Sequence, residues 1–201
     1  MIVEGHTEFY SFPKLSHRGM IKECPPLRIV NLRGIGGTVA AEGISKMVAP
    51  KVLSHIEGGR TKIIVCLDRE KRDESPGCFA EAIRNRLVEF VSKKARVSFE
   101  LHVIVLNRSF EAILLADAQG LYERKHFKKR PQFHRFEGEL GKGDQLGIIE
   151  LTELLAGEYH KTQDGPRLFE KIDVNAARRC GPQDRGSKSF DKLLRVLEKK
   201  K

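Results

Sequence analysis

Four carboxylates stand where a hard cation could use them. Glu4 closes the first apolar run, in MIVEGHTEFY. Asp68 and Glu70 close another, in TKIIVCLDRE, and Glu111 opens the segment after a third, in HVIVLNRSFEA. Mg²⁺ and Mn²⁺ take oxygen donors, commonly a few carboxylates with water and substrate phosphate. Carboxylates gathered without a cation repel one another and hold their protons more tightly. A shared metal removes that conflict, orients a phosphodiester and lowers the pKa of an attacking water; two metals ~4 Å apart clamp both the attacking and the leaving oxygen. No covalent nucleophile is needed. Each acid also has a plainer use. Glu4 suits a strand end and Asp68 an N-cap or turn. Glu70 shares the charged stretch DREKRDES with Asp73 and Glu74. Glu111 suits the first turn of a helix, where the dipole favours a negative charge.

The elements that must position these acids alternate along the first half of the chain. MIVEG reads as a strand and TEFYSFPKL as a helix. LRIVNL is a second strand, and TVAAEGISKMVAPKVLSHIEGG a helical stretch interrupted or kinked near Pro50. TKIIVCLD is near-continuously apolar, as a strand covered on both faces should be. In GCFAEAIRNRLVEFVSKKA, Phe79, Ile83, Leu87 and Val91 recur at helical spacing. SFELHVIVLN is a fourth strand, and SFEAILLADAQGLYE a helix with Ser109 as a plausible N-cap. Strands alternating with helices argue for a parallel sheet covered on both faces, and such sheets bind ligands at the carboxyl ends of their strands. Glu4, Asp68, Glu70 and Glu111 all fall at that edge. Beyond about residue 120 the pattern is less regular: FEGELGKGDQLGIIE reads as loop, and IIELTELLAGEY and FDKLLRVLEKK as helices.

Composition sets the bounds. The chain has 201 residues, enough for a real core in one domain or one domain with a small appendage. No apolar run is long enough to span a bilayer and no secretory leader pattern opens the chain, so the expectation is a cytoplasmic protein without a membrane partner. The cysteines Cys24, Cys66, Cys78 and Cys180 form no CxxC pair, which argues against zinc or a disulfide framework. Thirty-seven basic residues stand against 27 acidic ones, a net charge of +10, which favours a polyanionic partner and nucleic acid first. The excess is concentrated in YERKHFKKRPQFHRF. There Arg124, Lys125, Lys128, Lys129 and Arg130 could follow a phosphate backbone, or simply form a solvated face. Phe127, Phe133 and Phe136 could stack on bases or pack. GIGG, Gly34 to Gly37, reads as a tight turn between strand and helix, with phosphate contact as the rarer use. GELGKGD lacks the strand before it and the Ser/Thr after Lys142 that a nucleotide loop requires.

Three stretches, taken in order, resemble a Toprim domain, the metal-binding fold shared by topoisomerases, primases and OLD-type nucleases. VEGHTE resembles its opening, an apolar-Glu-Gly sequence. IIVCLDRE resembles its second motif, a strand followed by Asp-x-Asp. RSFEAILLAD resembles the element of OLD-like proteins in which a Phe-Glu pair opens a helix. GEYHKTQDG…LFEKID…SKSFDKLLRVL resembles the tail of small stand-alone bacterial Toprim-like proteins, often encoded beside an ABC-type or SMC-like ATPase in anti-phage or mobile-element settings. The likeness extends over most of the chain.

The resemblance implies an α/β fold: a mostly parallel, Rossmann-like sheet flanked by helices over residues 1–120, with an irregular, partly helical basic extension over 121–201 packed on it. It implies a nuclease dependent on Mg²⁺ or Mn²⁺ that cuts DNA or RNA, tRNA among the candidates. An ABC/SMC-like ATPase would control it, and a homodimer is compatible. Glu4 resembles the Toprim motif glutamate, a metal ligand or general acid/base. Asp68 matches the first aspartate of the second motif. Glu70 stands where the second aspartate usually stands, and its longer arm leaves a second metal open. Glu111 matches the glutamate of the Phe-Glu element. Glu8, one turn from Glu4, is either a further ligand or a capping glutamate. Lys161 is a candidate phosphate contact or transition-state stabiliser, or an ordinary surface lysine. Met1 lies only three residues before Glu4, so either the first strand is unusually short or the natural start lies upstream. The alternative from another class is a non-catalytic nucleic-acid-binding or docking subunit of a two-component ATPase complex, with the basic run as its working surface.

Overall fold

In the computed structural model the residues described are 1–22, 24–32, 35, 38–132, 147–178 and 186–198. Four parallel strands form one sheet: β1 (Ile2–Val3), β2 (Val30–Asn31), β3 (Lys62–Asp68) and β4 (Glu100–Leu106), in spatial order β2-β1-β3-β4. Side chains alternate across the pleat, and the alternation divides the core in two. Ile2, Ile63, Val65, Leu67, Leu101, Val103 and Val105 enter one apolar cluster. Met1, Val3, Ile64, Cys66, Ile104 and Leu106 enter the other. A sheet apolar on both faces must be covered on both, as the run TKIIVCLD suggests.

On the first face lie α3 (Ala41–Glu57) and α4 (Pro76–Ser92). The expected stripe of α4 is all buried: Phe79, Ile83, Leu87 and Val91. α3 runs through Pro50 without the expected interruption. Pro50 and Lys46 both face solvent, so the Lys46 carbonyl that the proline leaves without a donor can turn to water. Burial of Val48, Ala49, Val52 and Ile56 against the sheet holds the rest of the helix.

On the second face lie α1 (His6–Ser11), α2 (Pro13–His17), α5 (Glu111–Ala116), α6 (Ala118–Glu123), α7 (Ile148–Leu155), α8 (Lys161–Phe169), α9 (Val174–Arg178) and α10 (Lys188–Glu198). Residues from both ends of the chain build this cluster together; α8 packs on α1 and α5, and α10 on β4. Two boundaries differ from the sequence expectation. The helix after β4 begins at Glu111 with Phe110 in the N-cap position and no side-chain cap, so Ser109 is not the cap. The single helix expected through Glu123 breaks at Asp117. Its carboxylate accepts hydrogen bonds from Arg124 Nη2 and, at 2.7 Å, from the Asp173 amide. That side chain competes with helix continuation and ties the later chain to the core.

Four fully buried rings lock these helices: Phe12 at the end of α1, Phe110 before α5, Phe169 at the end of α8 and Phe190 on α10. Their centroids lie 5.4–6.1 Å apart along the chain of contacts Phe12–Phe110–Phe169–Phe190, in tilted and edge-to-face arrangements. Phe12 is one turn after Glu8, and Phe110 adjoins Glu111. The ring cluster therefore fixes the helices that carry the acids. No helix among the described residues is long and apolar enough to cross a membrane.

Candidate acidic site

The strand register fixes the first pair. Val3 lies opposite Cys66, so Glu4 and Asp68 leave the sheet together at the carboxyl ends of adjacent strands. The Asp68 amide donates to Glu4 Oε2 at 3.1 Å. The other Glu4 oxygen, Oε1, and Asp68 Oδ1 are sealed from solvent with no hydrogen-bond partner. Buried carboxylate oxygens seldom lack a partner, and two together point to something that would satisfy them.

Glu8 and Glu111 come from helices and are 4% and 1% exposed. Glu8 is the third residue of α1, whose N-cap is Gly5. The backbone amides of Glu8 itself and of Gly5 favour its charged form. Gly5 leaves room for this carboxylate: a Cβ there would sit 2.5 Å from Glu8 Oε2 and displace it. Tyr159 Oη donates to Glu111 Oε1 at 3.4 Å, and Lys161 Nζ lies 3.9 Å from the same oxygen. The Lys161 side chain is half exposed, so its charge borders the acids and solvent alike. Thr7 Oγ1 donates to the Lys161 carbonyl at 3.3 Å, and Gly165 lets α8 approach, since a Cβ there would be 2.5 Å from Thr7 Cγ2.

The acids sense each other. Burial pushes Glu4 up to about 7, helped by the charges of Glu70 and Glu8 and opposed by the Asp68 amide and Arg72. Burial likewise pushes Glu8 up to about 7; the charge of Glu111 adds to the rise and Lys161 opposes it. Asp68 is raised well above the usual carboxylate range by burial and then by Glu8, Glu4 and Glu111, again against Lys161. Glu4, Glu8, Asp68 and Glu111 thus share one neighbourhood, with Lys161 at its rim. Glu70 borders it beside Glu4. Its backbone is left-handed (φ 50°), and its amide donates to the Arg108 carbonyl at 2.7 Å. Among the described residues, however, no three His, Cys, Asp or Glu side chains stand as a ready donor set for a metal ion. The convergence is one of electrostatic neighbourhood rather than of a closed coordination shell.

The basic run divides. Arg124 is tied to Asp117. Lys125, Lys128, Lys129 and Arg130 are exposed, while Phe127 is buried in the core and packs rather than stacks. Phe133, Phe136, Lys142, Cys180 and the glycines of GIGG lie outside the described residues. Sequence reasoning passed over Arg72. Its guanidinium is buried and donates to the carbonyls of Val39, Asp68 and Arg69, bracing the turn after β3 while covering the Phe79 ring at 4.9 Å. It also passed over Tyr159, only two residues before Lys161. Nothing in the spacing of either residue marks it. Compared with protein-family models, curated proteins and solved structures, the chain finds no match in any of the three.

Proposed function

We propose that this chain is a Toprim-type nuclease that hydrolyses phosphodiester bonds of DNA or RNA with Mg²⁺ or Mn²⁺. One observation carries the reading: Glu4 Oε1 and Asp68 Oδ1 are buried acceptors without donors, inside a group of acids that raise one another's pKa. The donor chemistry fits a hard cation, since every candidate ligand atom is a carboxylate oxygen. Glu4, Asp68, Glu8 and Glu111 would hold it, with Glu70 at the margin. When bound, such a cation polarises the phosphodiester and lowers the pKa of the attacking water. The chain's own part is placement. The Asp68 amide orients Glu4, Gly5 makes room for Glu8, and Tyr159 steadies Glu111. Lys161 brings a positive charge to the rim, where it can meet a substrate phosphate or the charge that develops on it. Lys125, Lys128, Lys129 and Arg130 offer an exposed basic surface for the rest of the strand. The sequence resemblance supports an ABC/SMC-like ATPase partner that controls cutting in anti-phage defence.

The test is cleavage of plasmid, single-stranded DNA and total tRNA with Mn²⁺ or Mg²⁺, for the wild type, Glu4→Ala and Asp68→Ala, each alone and with the product of any ATPase gene encoded beside it. Wild type should cut at least one substrate and both variants should be inactive. Variants that cut as well as wild type overturn the mechanism. The absence of a ready donor set among the described residues favours a second reading, a nucleic-acid-binding or docking subunit that does not cut. Calorimetric Mn²⁺ titration separates the two, because the binding subunit gives no heat that depends on the carboxylates.

A further inference from the structure

Beside the two orphaned acceptors lie two orphaned donors. The Nε atoms of Arg69 and Arg108 are sealed from solvent, and neither donates to any group among the described residues. Arg69 follows Asp68 directly, and Arg108 lies in the loop after the adjacent strand β4. The Arg69 amide donates to the Leu106 carbonyl at 2.9 Å and the Glu70 amide to the Arg108 carbonyl at 2.7 Å, so the two loops are stitched together at the carboxyl edge of the sheet. Arg108 is held there with φ 74°, opposite Glu70 with φ 50°. Non-glycine residues in the left-handed region are strained, and strain of this kind collects at functional sites.

The charge of Arg108 acts on Arg69, and so does that of Asp73. Folding gains nothing from burying a donor without an acceptor, and an arginine fork is shaped for an oxyanion. Among the described residues Glu4 Oε1 and Asp68 Oδ1 lack a donor, and the Nε atoms of Arg69 and Arg108 lack an acceptor. A phosphate group brings acceptors to the second set, at the same edge of the sheet as the first.

We infer that Arg69 and Arg108 form an anion site that receives a phosphate group of the nucleic-acid strand. The inference deepens the nuclease reading and rests on it for the source of the phosphate. The site sets where the backbone lies relative to the acids, a positioning task separate from Lys161 and from the exposed basic run.

The experiment follows the arginine Nε–Hε resonances of the full-length, metal-free wild-type chain by NMR as inorganic phosphate is added. Arg69→Lys and Arg108→Lys assign the two signals. Both signals should shift saturably, and Arg69→Gln or Arg108→Gln should weaken phosphate binding at least about tenfold, as loss of one hydrogen bond between charged groups does. Signals that stay fixed at high phosphate in the wild type overturn the inference, and so does phosphate affinity unchanged in both Gln variants. The wild-type titration decides the matter even if a variant fails to fold. The same protein is assayed for cutting with Mn²⁺. A chain that binds phosphate through both arginines and cuts nothing keeps this site and loses the nuclease reading. A chain that cuts while both signals stay fixed loses only this site.

Discussion

Replacing Glu8 by glutamine removes a charge from the acid group while keeping the helix start intact, because glutamine serves as well as glutamate at the third position of a capped helix. Burial, together with the charge of Glu111, holds the Glu8 carboxyl at about 7 against an ordinary value of 4.5. At about 1.4 kcal/mol for each tenfold change in proton affinity, that rise amounts to about 3 kcal/mol. Below pH 4.5 both folded and unfolded chains hold the proton, and the acid costs nothing. As pH climbs from 4.5 through 7 the unfolded chain ionises first, so stability falls, and above 7 the whole loss is present. Glu8→Gln does not titrate and escapes it. The acids titrate as a set, so about 3 kcal/mol is a ceiling for one substitution, equal to a gain of up to about 6–12 °C in Tm for a chain of this length. Thermal unfolding in EDTA at about pH 4 and about pH 8, on either side of the titration, measures it. Glu8→Gln should be clearly more stable than wild type at the higher pH and close to it at the lower. A variant less stable than wild type at the higher pH, or stabilised equally at both, refutes the idea that Glu8 is a charge held against its preference.

Other perturbations probe the supports of the site. Gly5→Ala places a methyl 2.5 Å from Glu8 Oε2 and pushes that carboxylate aside, so Mn²⁺ affinity measured by calorimetry should fall at least about tenfold, the scale seen when groups that orient metal ligands are removed. Phe169→Ala removes the central ring of the aromatic cluster and should cost about 3–5 kcal/mol in urea denaturation. Asp117→Asn breaks the tie to Arg124 and weakens that to the Asp173 amide, and should cost about 1–3 kcal/mol in the same assay. Changing Lys125, Lys128, Lys129 and Arg130 together to glutamine should weaken nucleic-acid binding across sequences. It should also flatten the plot of log affinity against log salt by up to about 0.9 for each duplex phosphate no longer neutralised, read by fluorescence anisotropy.

The edge of the sheet was legible because hydrophobic runs declare strands. TKIIVCLD and HVIVL announced β3 and β4, and once those were parallel, the acids after them had to share an edge. The α4 stripe was equally open to reading, since Phe79, Ile83, Leu87 and Val91 keep one period. What the sequence hid depends on packing between distant segments. Tyr159 reaches Glu111 only because α8 lies on α1 and α5, and that packing turns on Gly165 and four phenylalanines scattered from residue 12 to residue 190. Asp117 looked like one more helical residue until Arg124 and Asp173 were found to compete for it. Arg69, Arg72 and Arg108 resembled ordinary surface charge; burial of Arg72 and of the Nε atoms of the other two distinguishes them, and burial has no signature in a stretch such as DREKRDES.

The claim beneath all of this is that Glu4, Asp68, Glu8 and Glu111 serve one shared cation. Anomalous diffraction from crystals grown with Mn²⁺ tests it most directly. The account predicts a manganese peak at the carboxyl ends of β1 and β3, within coordinating distance of Glu4 and Asp68 and abolished in Asp68→Asn. A well-ordered edge with no peak, or a manganese bound elsewhere and indifferent to Asp68→Asn, contradicts it.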